Sequence, residues 1–109
     1  MNEDELLLMT NLFPVSTGLP MVIWVGPGFG LPHQALRIKV MQSHGSHMDP
    51  GNLAEVTLRP TIRVVAGHLD KDDLDMVKAW LALNWTAVID HCTGRIDGAQ
   101  FGQRARRLP

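Results

Sequence analysis

Near residue 68 the hydrophobic period of this chain changes from two to between three and four, and that switch limits the fold more than any other feature. Before it, Leu36-Arg37-Ile38-Lys39-Val40-Met41 alternates apolar with basic over its first five positions. Ala54-Glu55-Val56-Thr57-Leu58 alternates again. A period of two puts successive side chains on opposite faces of a strand, so Leu36, Ile38 and Val40, then Ala54, Val56 and Leu58, are expected to face inward. After it, Leu74, Val77, Leu81, Trp85 and Val88 recur at steps of three and four, which draws one apolar stripe along a helix. Met76, Trp80, Leu83 and Ala87 widen that stripe sideways, enough for a broad groove or a second contact.

Punctuation supports the division. Met21-Val22-Ile23-Trp24-Val25 is a short β-branched run closed by Gly26-Pro27-Gly28, and Gly26 to Gly30 forces a turn. Ser43 to Asn52 reads as a loop rich in Gly, Ser, His, Asp and Pro. Pro60 interrupts the strand pattern, which Thr61-Ile62-Arg63-Val64-Val65 resumes. Asp70 is placed to cap the long helix, with Asp72 and Asp73 in its first turn, and Gly94 is placed to end it. Asp97 can cap a last short helix running to about Arg107. Short connections favour antiparallel pairing. The expected fold is α+β: a small antiparallel sheet of three to four strands, then one long and one short C-terminal helix packed on one face. Residues 21–109 form its single domain and residues 1–20 a partly ordered N-terminal extension.

Composition excludes several classes. At 45% apolar and 19% charged residues, with net charge −1, the chain is neither disordered in character nor a uniformly basic nucleic-acid clamp. No apolar run approaches the roughly 18 residues of a membrane span. One Cys rules out an internal disulfide framework and a multi-Cys zinc site. The acidic opening Asn2-Glu3-Asp4-Glu5 and the brevity of Leu6-Leu7-Leu8-Met9 do not suit a secretory signal, so the cytoplasm is the expected compartment. The small net charge conceals blocks: −3 over residues 1–36, +2 over 37–67, −3 over 68–97 and +3 in the tail.

Candidate chemistry is sparse. His33, His44 and His47, with Asp49 nearby, are borderline metal ligands, but their spacing is no helical pair and lacks a fourth ligand, so a solvated loop is the reading and no metal or cofactor is expected. His91 and Cys92 are adjacent on a helix and point in different directions, which makes Cys92 a small hydrophobe and not a nucleophile. Arg37 and Lys39 share the outer face of one strand, and Arg59 and Arg63 can lie outward on the next two. Together the four form a phosphate-binding patch or an ordinary solvated sheet face that blocks edge pairing. Trp80 and Trp85, five residues apart, cannot share one narrow stripe. A small domain's need for large side chains favours the core for both, while a partner surface is open to either.

The succession Leu58-Arg59-Pro60-Thr61-Ile62-Arg63-Val64-Val65-Ala66-Gly67, Asp72-Asp73-Leu74, Trp80-Leu81-Ala82-Leu83-Asn84 and Gly94-Arg95-Ile96-Asp97 resembles a bacterial family of small proteins described only as a domain of unknown function. Its marks are a Pro-His element before a strand and a C-terminal Trp-x-x-x-Asn helix followed by a Gly-containing turn. The resemblance covers about Met21 to Leu108. It implies a protein-binding or toxin–antitoxin role, because members are often encoded beside small antitoxin-like partners. Two departures matter. The family's Pro-Pro-His-x-His element stands here as Leu31-Pro32-His33-Gln34-Ala35, and the aromatic pair before the turn glycine stands as His91-Cys92. The missing histidine counts against any activity that needs both.

The leading expectation is therefore a non-enzymatic module that binds a protein partner or its own copy. The alternative is a nucleic-acid-binding or RNA-directed toxin, with Arg37, Lys39, Arg59 and Arg63 on phosphates and His33 as acid–base. A metal-dependent hydrolase on His33, His44 and His47 ranks last. No membrane association is expected.

Overall fold

Alternation in the first half builds a five-stranded antiparallel sheet, and the helical stripe of the second half covers it. The computed structural model describes residues 9–27 and 36–109. Its strands are β1 (Thr10–Leu12), β2 (Ile23–Val25), β3 (Arg37–Met41), β4 (Leu53–Thr57) and β5 (Arg63–Ala66), in the spatial order of the chain. Its helices are α1 (Pro14–Thr17), α2 (Lys71–Cys92) and α3 (Gly98–Arg104). The architecture is α+β, with one strand more than the alternation predicts. That strand, β1, is three residues long, too short to show a period, and is defined by its pairing with β2 (Asn11 opposite Trp24).

Residues directly opposite one another in an antiparallel ladder share a face. Thr10, Val25, Ile23, Val40, Ile38, Ala54 and Val56 are therefore on one side, and the Thr10 hydroxyl reaches His91 Nε2 on α2 at 2.9 Å. That side is the one α2 covers. The other side carries Asn11, Trp24, Lys39 and Glu55 in one row and is also largely buried. The β3–β4 loop folds onto it, with the Asp49 backbone N–H on Met41 Sδ at 3.4 Å and the Asn11 amide on Met48 Sδ at 3.7 Å.

Between β5 and α2 the chain turns at Gly67, whose φ of +73° favours glycine and whose Cβ, if present, would lie 2.8 Å from the Ala54 Cα. Helix α2 begins after Asp70 as expected, but the Asp70 side chain makes no cap bond and turns to His68 at 3.2 Å. Gly94 follows the helix at φ +79° and closes it. Asp97 and Gln100 form a reciprocal capping box at the start of α3, with bonds of 2.8 and 2.9 Å. Seven residues of helix are marginal alone. Phe101 secures these, fully buried, stacked on the His91 ring at 4.9 Å and edge-on to Trp80 at 6.5 Å. Trp80 Nε1 finds no acceptor among the described residues, a cost that the ring's buried area offsets. Among the described residues no helix is long and apolar enough to cross a membrane.

Candidate functional site

Of the residues singled out from the sequence, His33 lies outside the described residues. The four cations do not converge. Lys39 is only 2% exposed, and its Nζ donates to Glu55 Oε1 directly across the ladder. The same carboxylate accepts from Arg37 Nη1 at 3.3 Å through Oε2. Partial burial works against a charged Glu55, but the Lys39 hydrogen bond and charge, with Arg37 behind them, outweigh it and hold the carboxyl below its ordinary value. Lys39 therefore departs from the solvated position that alternation assigns it, because both faces of the central strands are covered. Arg63 is in register with Thr57, which is in register with Arg37, so the two arginines share a face roughly 10 Å apart. Arg59 sits elsewhere, in the β4–β5 loop on the α2 side.

His44 and His91 serve structure. His44 Nε2 meets both oxygens of Asp73, at 3.0 and 2.9 Å, and so ties the β3–β4 loop to the first turn of α2. His47 and Asp49 are exposed in that loop. Among the described residues no group of three His, Cys, Asp or Glu could hold a metal ion. His91 donates from Nδ1 to the Ile96 carbonyl at 3.1 Å and accepts the Thr10 hydroxyl at Nε2. That hydroxyl–imidazole pair is packed under Phe101 and lines neither cavity described below. Burial pushes the Cys92 thiol up to about 11, against a smaller opposing bond from the Gly26 backbone N–H. Thiolate is the reactive form, so Cys92 is expected to stay silent toward Ellman's reagent in the folded chain and to react within minutes once urea unfolds it. Rapid labelling of the native protein would contradict its burial.

Asn84 is a site residue the sequence pattern does not announce as such. It interrupts α2 with φ −116° and ψ 16°, in the middle of the buried stripe. Its Nδ2 donates to the Trp80 carbonyl at 3.1 Å and to the Arg106 carbonyl at 3.0 Å, and its Oδ1 accepts the Arg106 backbone N–H at 2.6 Å. The C-terminal tail is thus pinned to the kink. Beyond its place in the Trp-x-x-x-Asn element, the signal was an amide at a position, four and seven residues from Trp80 and Val77, that the helical period reserves for apolar side chains.

The two tryptophans separate as their spacing allows. Trp80 is in the core, away from any partner surface. Trp85 is half-buried and lines an open cleft of about 900 Å³ between the β4–β5 loop and α2. Leu58, Pro60 and Ile62 supply the apolar wall opposite it, and Arg59 and Lys78 stand at the cleft as cations that form no salt bridge among the described residues, the Lys78 charge acting at longer range on Asp75. Leu58 makes the last bond of the β3–β4 ladder, from its N–H to the Leu36 carbonyl at 2.8 Å, and Arg59 to Ile62, around Pro60, run free of strand pairing. Compared with family models, with curated proteins and with solved structures, the chain finds no match in any of the three.

Proposed function

We propose that this chain is a non-enzymatic protein-binding module whose contact surface is the cleft between the β4–β5 loop and α2. One observation carries the reading: Trp85, a large aromatic, lies half-exposed in an apolar depression large enough for several side chains. Arg59 and Lys78 at the cleft favour a segment that pairs apolar side chains with carboxylates. A small antitoxin-like protein in the bacterial cytoplasm, the partner class implied by the family resemblance, suits the surface if it brings such a segment.

The test is a random 12-residue peptide library selected against the folded chain. Enriched peptides are expected to join Asp or Glu with Leu, Phe or Trp and to perturb backbone resonances of Leu58 to Ile62, Lys78 and Trp85. Trp85→Ala is expected to weaken binding by about 2 kcal/mol, some thirtyfold, while leaving the fold intact. Peptides that map elsewhere, or that bind the Trp85→Ala chain equally well, would overturn the reading.

The phosphate-binding alternative draws less support, because Glu55 already shares the charges of Arg37 and Lys39. A short single-stranded RNA is expected to bind no more tightly than non-specific contacts allow, with about one or two phosphates neutralised in its salt slope. Strong, steeply salt-dependent binding lost in an Arg37→Ala/Arg63→Ala chain would reinstate it.

A further inference from the structure

Helix α2 carries a second apolar surface on the side away from the sheet. Val77, Trp80, Leu81, Ala87 and Val88 are buried. Met76, Ala79, Ala82, Leu83 and Thr86 are exposed, and at about 100° per residue they occupy roughly a third of the helix circumference. Met76 is 39% and Leu83 42% exposed, high for large apolar side chains one above the other on one face.

The charges at the two ends of this surface differ in sign. At the helix start, Asp75 is taken by Lys71 at 2.8 Å, whereas the exposed Asp72 has no cationic partner among the described residues. At the kink end, Arg104 is held by Asp90 at 3.0 Å, whereas Arg106 has no carboxylate partner among the described residues. The Asn84 pin fixes the Arg106 backbone beside Leu83 and Thr86, where Arg104 and Arg106 rim a hollow of about 250 Å³. Read along the helix, the surface runs acid, Met76, Ala79, Leu83, base. Such a sequence is complementary to itself when reversed.

We infer that this face of α2 packs antiparallel on the same face of a second copy, about a two-fold axis near Ala79. Met76 of one copy then lies on Leu83 of the other, and Asp72 reaches Arg106 of the other copy twice over. The small Ala79 and Ala82 at the axis let the helices approach to the usual 8–10 Å or so. A parallel arrangement would set Asp72 against Asp72 and Arg106 against Arg106, so electrostatics selects the isologous antiparallel form. The inference extends the protein-binding reading to a particular partner, but uses a surface on a different flank of α2 from the cleft. A monomeric chain whose selected peptides still map to the cleft would sink the dimer alone.

Sedimentation equilibrium of the full chain tests it. The chain is expected to dimerise reversibly, and Leu83→Asp, at an exposed position, to remain monomeric with an unchanged circular dichroism spectrum. Asp72→Arg and Arg106→Asp are each expected to weaken the dimer by about tenfold or more, since each juxtaposes like charges at two contacts. An equimolar mixture of those two chains is expected to recover the native affinity, because both cross-pairs then match again. A wild-type chain still monomeric at about 1 mM, or a mixture that associates no better than its components, would overturn the inference.

Discussion

A Glu55→Gln chain is expected to lose on the order of 3 kcal/mol of folding stability at pH 7. Lys39 is buried in the middle of β3, and the carboxylate across from it on β4 helps to make a buried ammonium tolerable. Glutamine keeps the shape and an acceptor oxygen but removes the charge. The loss should also depend on pH in a definite direction. Lys39 and Arg37 prevail over the opposing effect of burial, so Glu55 ionises more readily folded than unfolded and titrates below its ordinary 4.5. Its ionisation therefore adds stability above pH 4.5 and ceases to do so as the pH falls through the lower, folded value. Urea denaturation of both chains should show a gap that is full at neutral pH and narrows as acid protonates Glu55. A gap of constant size across that range would mean that the Glu55 charge is not coupled to folding.

Asn84→Ala is expected to cost about 2–3 kcal/mol, because it strands the backbone N–H and C=O of Arg106 and removes the bond to the Trp80 carbonyl. In a domain of this size that corresponds to a melting temperature lower by roughly 10 °C. The fault should be local as well as global. With the pin gone, the tail beyond α3 retains the Leu108 N–H bond to the Thr17 carbonyl at 2.8 Å and the Arg107 Nε bond to the Val15 carbonyl at 3.1 Å, both near the chain end. Amide exchange at Arg106 should rise well before global unfolding, and the proposed dimer should weaken because Arg106 loses its place beside Leu83. Unchanged exchange at Arg106 would show that the tail is held by other means. Asn84→Asp makes a useful contrast: it keeps the acceptor for the Arg106 N–H, loses the donor to two carbonyls, and buries a charge.

Several elements were legible because they are coded by neighbours in sequence. The start of α2 after Asp70, its end before Gly94, the cap at Asp97 and the alternation through β3 and β4 all follow from residues within four positions of one another. The caps were less legible in detail, since Asp70 marks the helix start yet spends its carboxylate on His68. β1 left no period to read, and its pairing is with a strand that follows an intervening helix and turn.

The candidate surfaces were legible only as parts. Alternation put Lys39 on the face opposite Ile38, which is correct, but a period of two cannot say whether that face is wet. The five-residue spacing of Trp80 and Trp85 required them to diverge, and the packing of Phe101 and His91 decided that Trp80 is the buried one. The charge blocks, −3 over residues 68–97 and +3 in the tail, allow the acidic helix start and the basic tail to meet between copies. Only the Asn84 pin brought Arg106 alongside Leu83, 23 positions away in sequence, to give that idea a geometry.

What the sequence determined by itself was the order and kind of elements, their caps and the residues that share each face. Those properties depend on backbone preference and side-chain period, which act over a turn of helix or a pair of strand residues. The tertiary structure decided which faces are covered, that Lys39 answers to Glu55 rather than to solvent, and that an amide inside a helical stripe holds the chain's last residues. Such decisions belong to groups that meet across 16 to 22 positions of sequence. Desolvation sets their energies, and that is defined only once the surrounding elements have packed.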